Sequence, residues 1–237
     1  MPPSGTVDCS CDVTRIGILE VQGAFLEHKV ALQKACSSGY TKNTVEIMSI
    51  RNASDIKPEM DGLIIPGGES TTISLFLRRN KMEEPLRDWI HKKHHVTWGT
   101  CAGMILLSKQ MEHQKEGGQP TLGILDTDVS RNFFGRQVAS FESTIEVHDD
   151  VMSCSSQKEP FNGVFIRAPA VLEVYNPEVT VLGKLHRPEK NDDVIVAIRQ
   201  ENVLATAFHP ELTADIRWHV YFLQMVENYK RRSNNTS

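Results

Sequence analysis

The residues richest in chemical possibility cluster around one cysteine. In Trp98-Gly99-Thr100-Cys101-Ala102-Gly103-Met104 a short apolar run meets the pattern G-x-C-x-G and then a stretch of helical period. This is the thiol counterpart of the strand, sharp turn and helix that present a nucleophile at the carboxyl edge of a sheet. Glycines at 99 and 103 let the backbone turn tightly and the helix pack closely, while the positive end of that helix favours a thiolate. Taken alone, the pattern equally describes a buried structural cysteine between packing glycines.

Two further segments change that balance. Ala205-Thr206-Ala207-Phe208-His209-Pro210-Glu211 ends an apolar strand with a histidine and a carboxylate two residues apart. In extended chain such residues point the same way, so Glu211 can orient the imidazole of His209, the general base for Cys101. The order Cys, His, Glu differs from the Ser, Asp, His order of α/β-hydrolases. Leu63-Ile64-Ile65-Pro66-Gly67-Gly68-Glu69-Ser70-Thr71-Thr72 is again a strand leading through glycines to a helix, and such glycines can aim backbone N–H groups at a developing oxyanion. A phosphate loop would need G-K-[ST], which is absent. His91, His94 and His95 do not read as a metal site, because Lys92 and Lys93 among them would repel a divalent ion. No metal ligand set and no cofactor is expected.

Positioning these residues takes a sheet. Through the first half, apolar runs alternate with helix-period segments: 16–21 then 25–36, 45–50, 63–65 then 71–80 and 85–94, and 96–98 then 102–111. That alternation implies βαβ units and a mostly parallel sheet. Beyond residue 120, runs at 121–129, 137–147, 164–168, 179–185, 194–199 and 203–208 are joined by turn-rich stretches, and they read as antiparallel additions to the same sheet. The last helix, 214–229, carries two apolar stripes and must be covered on two sides. Residues 1–13 and 230–237 read as flexible tails around a single domain at 14–229, with polar loops at 112–120 and 149–160.

Composition removes several function classes. The 237-residue chain is 40% hydrophobic and 24% charged, with a net charge of −4 and no concentrated basic face, so nucleic acid is not an expected partner. The five cysteines are scattered and odd in number, no apolar run reaches membrane-spanning length, and residues 1–13 carry neither the basic nor the apolar region expected of a secretory leader. A cytoplasmic protein without a membrane partner is expected.

Taken together, the segments resemble the class I glutamine amidotransferases, and within them the glutaminase subunits of pyridoxal 5'-phosphate synthase. The resemblance runs from Ile16 to about Phe222. It rests on Gln22-Gly23-Ala24-Phe25, Pro66 to Thr72, Gly99 to Gly103, Arg131-Asn132-Phe133-Phe134-Gly135-Arg136-Gln137, Ile166-Arg167-Ala168-Pro169 and Phe208-His209-Pro210-Glu211-Leu212.

That resemblance implies a three-layer, flavodoxin-like α/β fold and thioester-mediated hydrolysis of L-glutamine, with Cys101 attacking, His209 moving the proton and Glu211 orienting His209. It places glutamine on Gly68, Glu69, Ser70, Arg131, Ile166 and Arg167, and the oxyanion on the N–H groups of Gly68 and Ala102. Among the arginines, Arg131, Arg136 and Arg167 are candidates for the substrate carboxylate, and Glu69 for its ammonium. The implied partner is a separate β/α-barrel synthase subunit that receives the ammonia. Two other readings stay open on sequence: a non-catalytic regulatory subunit of the same fold, and a cysteine hydrolase acting on another small molecule. Glu20 departs from the apolar or small residue usual in the family and raises the expectation of altered docking.

Overall fold

The computed structural model describes residues 13–112, 119–135 and 140–234. Its first half builds β1 (Val13–Leu19), α1 (Phe25–Ser37), β2 (Thr44–Ile50), β3 (Gly62–Ile65), α2 (Ser70–Arg79), α3 (Glu83–Ile90), β4 (Val96–Thr100) and α4 (Ala102–Leu107). The second half adds β5 (Ser108–Met111), β6 (Leu125–Ser130), β7 (Ser140–Val147), α5 (Asp149–Met152), β8 (Phe161–Ile166) and β9 (Ala170–Val174). It closes with β10 (Val179–Arg187), β11 (Asp192–Gln200), β12 (Val203–Thr206) and α6 (Arg217–Asn234).

The main path of the sheet runs β2-β1-β3-β4-β12-β11-β10-β7-β8. It is parallel from β2 to β12 and antiparallel from β12 to β8. The antiparallel region is therefore as extensive as the parallel one. Strands β5, β6 and β9 form a side branch that rejoins at β11.

Strands β3, β4 and β12 are buried at every residue, the pattern of central parallel strands covered on both faces. Consecutive strand residues show the two covers directly. Trp98 packs against His28 of α1 and His219 and Phe222 of α6, whereas a side chain on neighbouring Gly99 would strike Gly103 and Leu107 of α4. Helices α1 and α6 thus cover one face and α4 the other. Helix α6 is buried on two sides, as its stripes require: Trp218, Val220, Phe222, Leu223 and Val226 are all sequestered.

Several boundaries differ from the sequence reading for identifiable reasons. The apolar stretch 102–111 is two elements, because Ser108 turns extended, donates its hydroxyl to the Met104 carbonyl at 2.8 Å, and leads into pairing with β6. A short helix, α5, interrupts the polar loop at 149–160. Helix α6 starts at Arg217 and continues past Tyr229 to Asn234, so residues 230–234 are not a loose tail. Lys230 anchors them by donating to the Val13 carbonyl at 2.6 Å. Among the described residues no helix is long and apolar enough to cross a membrane.

Candidate functional site

Strand β4 ends at Thr100 and α4 begins at Ala102, leaving Cys101 alone at the bend with φ +48° and ψ −102°. A non-glycine residue held there costs on the order of 1–3 kcal/mol, so the surroundings must enforce it. They do so by close approach. A Cβ on Gly103 would lie 2.1 Å from the Ile65 carbonyl oxygen, and one on Gly99 would lie 2.5 Å from the Gly103 carbonyl carbon. The Cys101 N–H donates to the Thr206 carbonyl at 2.7 Å, fixing the bend to β12. Its thiol, buried, points toward the Ile166 carbonyl at 3.8 Å.

Strand β12 pairs in parallel with β4, Thr206 opposite Thr100, so the chain leaving β12 passes beside the cysteine bend. His209 donates its N–H to the Val164 carbonyl at 2.8 Å, and Pro210 opens a 3₁₀ turn, Pro210–Leu212. Glu211 therefore reaches His209 from a tight turn and not from extended chain, because Pro fits the first turn of a helix. His209 Nδ1 and Glu211 Oε1 are 2.7 Å apart, both side chains buried. Burial opposes charge on His209, but hydrogen bonding with Cys101 and Glu211 outweighs it and raises its pKa to about 10. Burial pushes the Glu211 carboxyl up, but its surroundings, including the hydrogen bond with His209, leave it below the ordinary value. The geometry and charges suit a thiolate–imidazolium pair with an anionic support.

The glycine loop lies directly on this pair. A Cβ on Gly67 would be 2.3 Å from His209 Cε1, and one on Gly23 would be 1.6 Å from the Gly67 carbonyl oxygen. The Gly67 N–H donates to Thr100 Oγ1 at 3.0 Å, while Gly68 adopts φ +153°, a conformation few side chains tolerate. Ala102, the first residue of α4, has an N–H without an intrahelical acceptor. Glu69 caps α2, accepting from the Thr72 N–H at 2.6 Å and the Thr71 N–H at 3.2 Å; these bonds overcome burial and lower its carboxyl pKa. The Glu69 N–H in turn donates to Gln22 Oε1 at 3.2 Å.

Arg131 comes from the end of β6 and donates to Glu69 Oε1 at 3.2 Å and Thr71 Oγ1 at 3.0 Å. The two residues expected at opposite ends of the substrate thus meet each other. Ser70 is buried with its hydroxyl directed to Gln119 at 3.1 Å. Ile166 is brought to Cys101 through its carbonyl, and Arg167 follows it, exposed, at φ +44°. Arg136 lies outside the described residues. No group of three or more metal-ligating side chains occurs among the described residues. His95 is buried, stacked on Trp89 at 4.0 Å and bonded to the Trp89 carbonyl at 2.8 Å.

One expectation changes at the margin. Glu20 is enclosed by Lys29, Ser49 and Arg51, with Arg51 Nη2 at 2.7 Å and its own side chain 1% exposed, so its charge is answered inside the chain and not presented to a partner. Residues that the sequence reading missed are His28, Thr100 and His219. His28 and His219 lie 3.1 Å apart beneath the site, with His28 Nε2 3.2 Å from Thr100 Oγ1 and 3.4 Å from Glu211 Oε2. The available signal was His219 itself, a titratable residue between Trp218 and Val220 in a helix that had to be covered on two sides.

Known proteins share this arrangement of chain. The chain is 45% identical to the pyridoxal 5'-phosphate synthase subunit PdxT of Carboxydothermus hydrogenoformans, over 90% of this chain and 97% of that one. It is 41% identical to the "Probable pyridoxal 5'-phosphate synthase subunit PDX2" of Arabidopsis thaliana, over 94% and 89%. A crystal structure of a glutamine amidotransferase superposes with a TM-score of 0.72 at 38% identity, covering 90% of this chain and 98% of that one. The pattern of the SNO glutamine amidotransferase family matches residues 18–228, and the chain belongs to that family.

Proposed function

We propose that the protein hydrolyses L-glutamine to L-glutamate and ammonia and supplies the ammonia to a partner synthase making pyridoxal 5'-phosphate. The observation that carries the chemistry is His209 held between Cys101 and the Glu211 carboxylate in a buried site. The thiolate of Cys101 attacks the side-chain amide carbon, and the oxyanion forms toward the N–H groups of Gly68 and Ala102. His209 then protonates the departing nitrogen, the carbon–nitrogen bond breaks, and a thioester remains on Cys101. Water, deprotonated by His209, attacks the thioester; glutamate leaves and the thiolate is restored. No cofactor is required.

Glutamine's own charges replace the contact between Glu69 and Arg131: its carboxylate goes to Arg131 and Arg167, its ammonium to Glu69. Ser70 and Ile166 line the same pocket. A half-exposed ion pair is worth roughly 0–1 kcal/mol, so exchanging it for the substrate is inexpensive. The curated relatives' names, subunits of pyridoxal 5'-phosphate synthase, support a synthase subunit as partner, and we take that subunit to be a β/α barrel in the cytoplasm. The Gly67-Gly68 peptides lie where a change on docking would aim or withdraw an oxyanion donor, worth roughly 100-fold to 1,000-fold in kcat. The test measures ammonia released from glutamine and from asparagine, with and without a saturating barrel subunit. Glutamine-selective release that the barrel enhances is expected. Release from asparagine at an equal rate contradicts the substrate assignment.

A further inference from the structure

Beneath the proposed catalytic residues the structure buries a second set of polar groups that the mechanism above does not use. Glu211 presents Oε1 to His209, and its other oxygen, Oε2, has no hydrogen bond within normal distance. The group facing Oε2 is His28 Nε2 at 3.4 Å, on α1, with both side chains fully buried. His28 Nδ1 is 3.1 Å from His219 Nε2 on α6, and His219 Nδ1 has no partner. Thr100 Oγ1, beside Cys101, lies 3.2 Å from His28 Nε2 and already accepts from the Gly67 N–H.

Only two proton arrangements fit neutral rings here, and burial holds both histidines below their ordinary pKa. If the His28 proton is on Nδ1, it donates to His219 Nε2. The Thr100 hydroxyl then donates to His28 Nε2, but His219 carries a buried N–H with no acceptor and the ionised Oε2 faces a nitrogen with no proton to offer it. If the proton is on Nε2, it donates to Thr100 Oγ1 at 3.2 Å and lies beside Glu211 Oε2 at 3.4 Å, and His219 Nε2–H donates to His28 Nδ1. What is left over is the lone pair of His219 Nδ1 and the Thr100 hydroxyl hydrogen, which is free to rotate. An unpartnered buried N–H and a bare carboxylate oxygen cost far more than an unpartnered ring nitrogen.

Building on the Cys101–His209–Glu211 reading, we infer that His28 is a positioning residue for glutamine hydrolysis, its Nε2–H holding the second oxygen of Glu211 while His219 fixes that tautomer. The string runs from His219 through His28 and Glu211 to His209, and Thr100 ties it to the Gly67 peptide. Its effect falls on the step in which His209 carries charge. It does not touch the rim that binds glutamine.

Because an apolar side chain at position 28 risks unfolding the chain, the test uses two amides. Glutamine places its terminal nitrogen where imidazole Nε2 lies, asparagine where Nδ1 lies. Ammonia release by the full chain with saturating barrel subunit is measured for His28→Gln, His28→Asn and Cys101→Ala. His28→Gln is expected to keep a kcat roughly 10-fold or more above that of His28→Asn, within the usual worth of a placed proton-transfer group, with both KM values near the parent's. Equal kcat in the two amide variants, or a change in KM alone, overturns the role of His28 while leaving the triad intact. Activity surviving in Cys101→Ala overturns the triad reading and the inference with it. Nitrogen-15 shifts of His28 in the parent chain give an answer independent of variants: an Nε2–H tautomer is expected, and an Nδ1–H tautomer refutes it.

Discussion

On the floor of the site, Cys101, His209, Glu211, His28 and His219 are all buried, and atoms 1.6–2.5 Å from would-be Cβ atoms leave Gly23, Gly67, Gly99 and Gly103 no alternative. On the rim, Glu69 and Arg131 keep 49% and 36% of their side-chain surface and face each other at 3.2 Å. Charges on the floor sit in a low-dielectric environment with fixed partners, so they shift one another's protonation strongly. Charges on the rim are solvated and exchangeable. The difference separates two jobs. On the proposed mechanism the floor, organised before substrate arrives, would act on the reacting atoms, and the rim would trade one counter-ion for another as glutamine enters.

The largest effect expected from that division belongs to the floor. Cys101→Ala removes the attacking atom and should lower glutamine hydrolysis by on the order of 10⁶-fold, as for other nucleophile deletions, with an unchanged circular-dichroism spectrum. Next is Glu211→Gln, which keeps the size of the side chain but removes the anion beside His209. A loss of roughly 10⁴-fold in kcat with little change in KM is expected, by analogy with loss of the orienting carboxylate in serine triads. A KM effect of similar size would erase the distinction between floor and rim.

The rim should respond in the opposite sense. Arg131→Ala is expected to raise the KM for glutamine roughly 10-fold to 100-fold, the loss of one charge-assisted contact, while lowering kcat much less. Equal falls in kcat and kcat/KM would place Arg131 in transition-state stabilisation instead.

The buried histidines, on the floor and at His95, also set the acid response of stability. His28, His219 and His95 are held neutral by burial, His95 down to about 4, so their contributions are present above about 6.5 and are lost as pH falls below it. His209, raised to about 10, works the other way: its contribution is complete below about 6.5 and is lost as pH rises through about 10. Between pH 7.5 and 5.5 three groups lose and one gains, so the urea midpoint should fall. A midpoint that rises on acidification would mean the buried rings are charged.

The smallest effect is expected at Glu20. Its partners Lys29, Ser49 and Arg51 all lie outside the site, so Glu20→Ala should leave kcat/KM within about twofold, with or without the barrel subunit, its cost falling on stability as a buried ion pair is broken. A large change in barrel-dependent activity would return this strand end to the docking surface.

What could be read from the sequence follows the same division. Glycines at 99 and 103 are forced by backbone contact, Gly67 by the His209 ring and Gly68 by its positive φ, and such constraints leave a local pattern that a reader can find. The parallel half of the sheet was legible because each buried strand is followed by a turn and a helix. The antiparallel half was less so: β9 was not foreseen, since its pairing with β6 and β11 is non-local. His28 and His219 escaped because 191 positions separate them and only the packing of α1 on α6 brings them together. The turn that delivers Glu211 was misread as extended chain, although Pro210 signalled a helical first turn.

Selective modification tests the central claim, that Cys101 is the thiol activated by His209, most directly. Treating the full chain with a glutamine-like chloroketone at one equivalent near pH 7.5, followed by peptide mapping, reads every one of its five cysteines at once. Burial raises the Cys36 thiol pKa and pushes that of Cys154 to about 11, so both remain protonated and slow. The account predicts a single adduct on Cys101, suppressed by added glutamine and accompanied by loss of ammonia release. Label spread evenly over the cysteines, or an adduct on Cys101 that leaves activity intact, would contradict it.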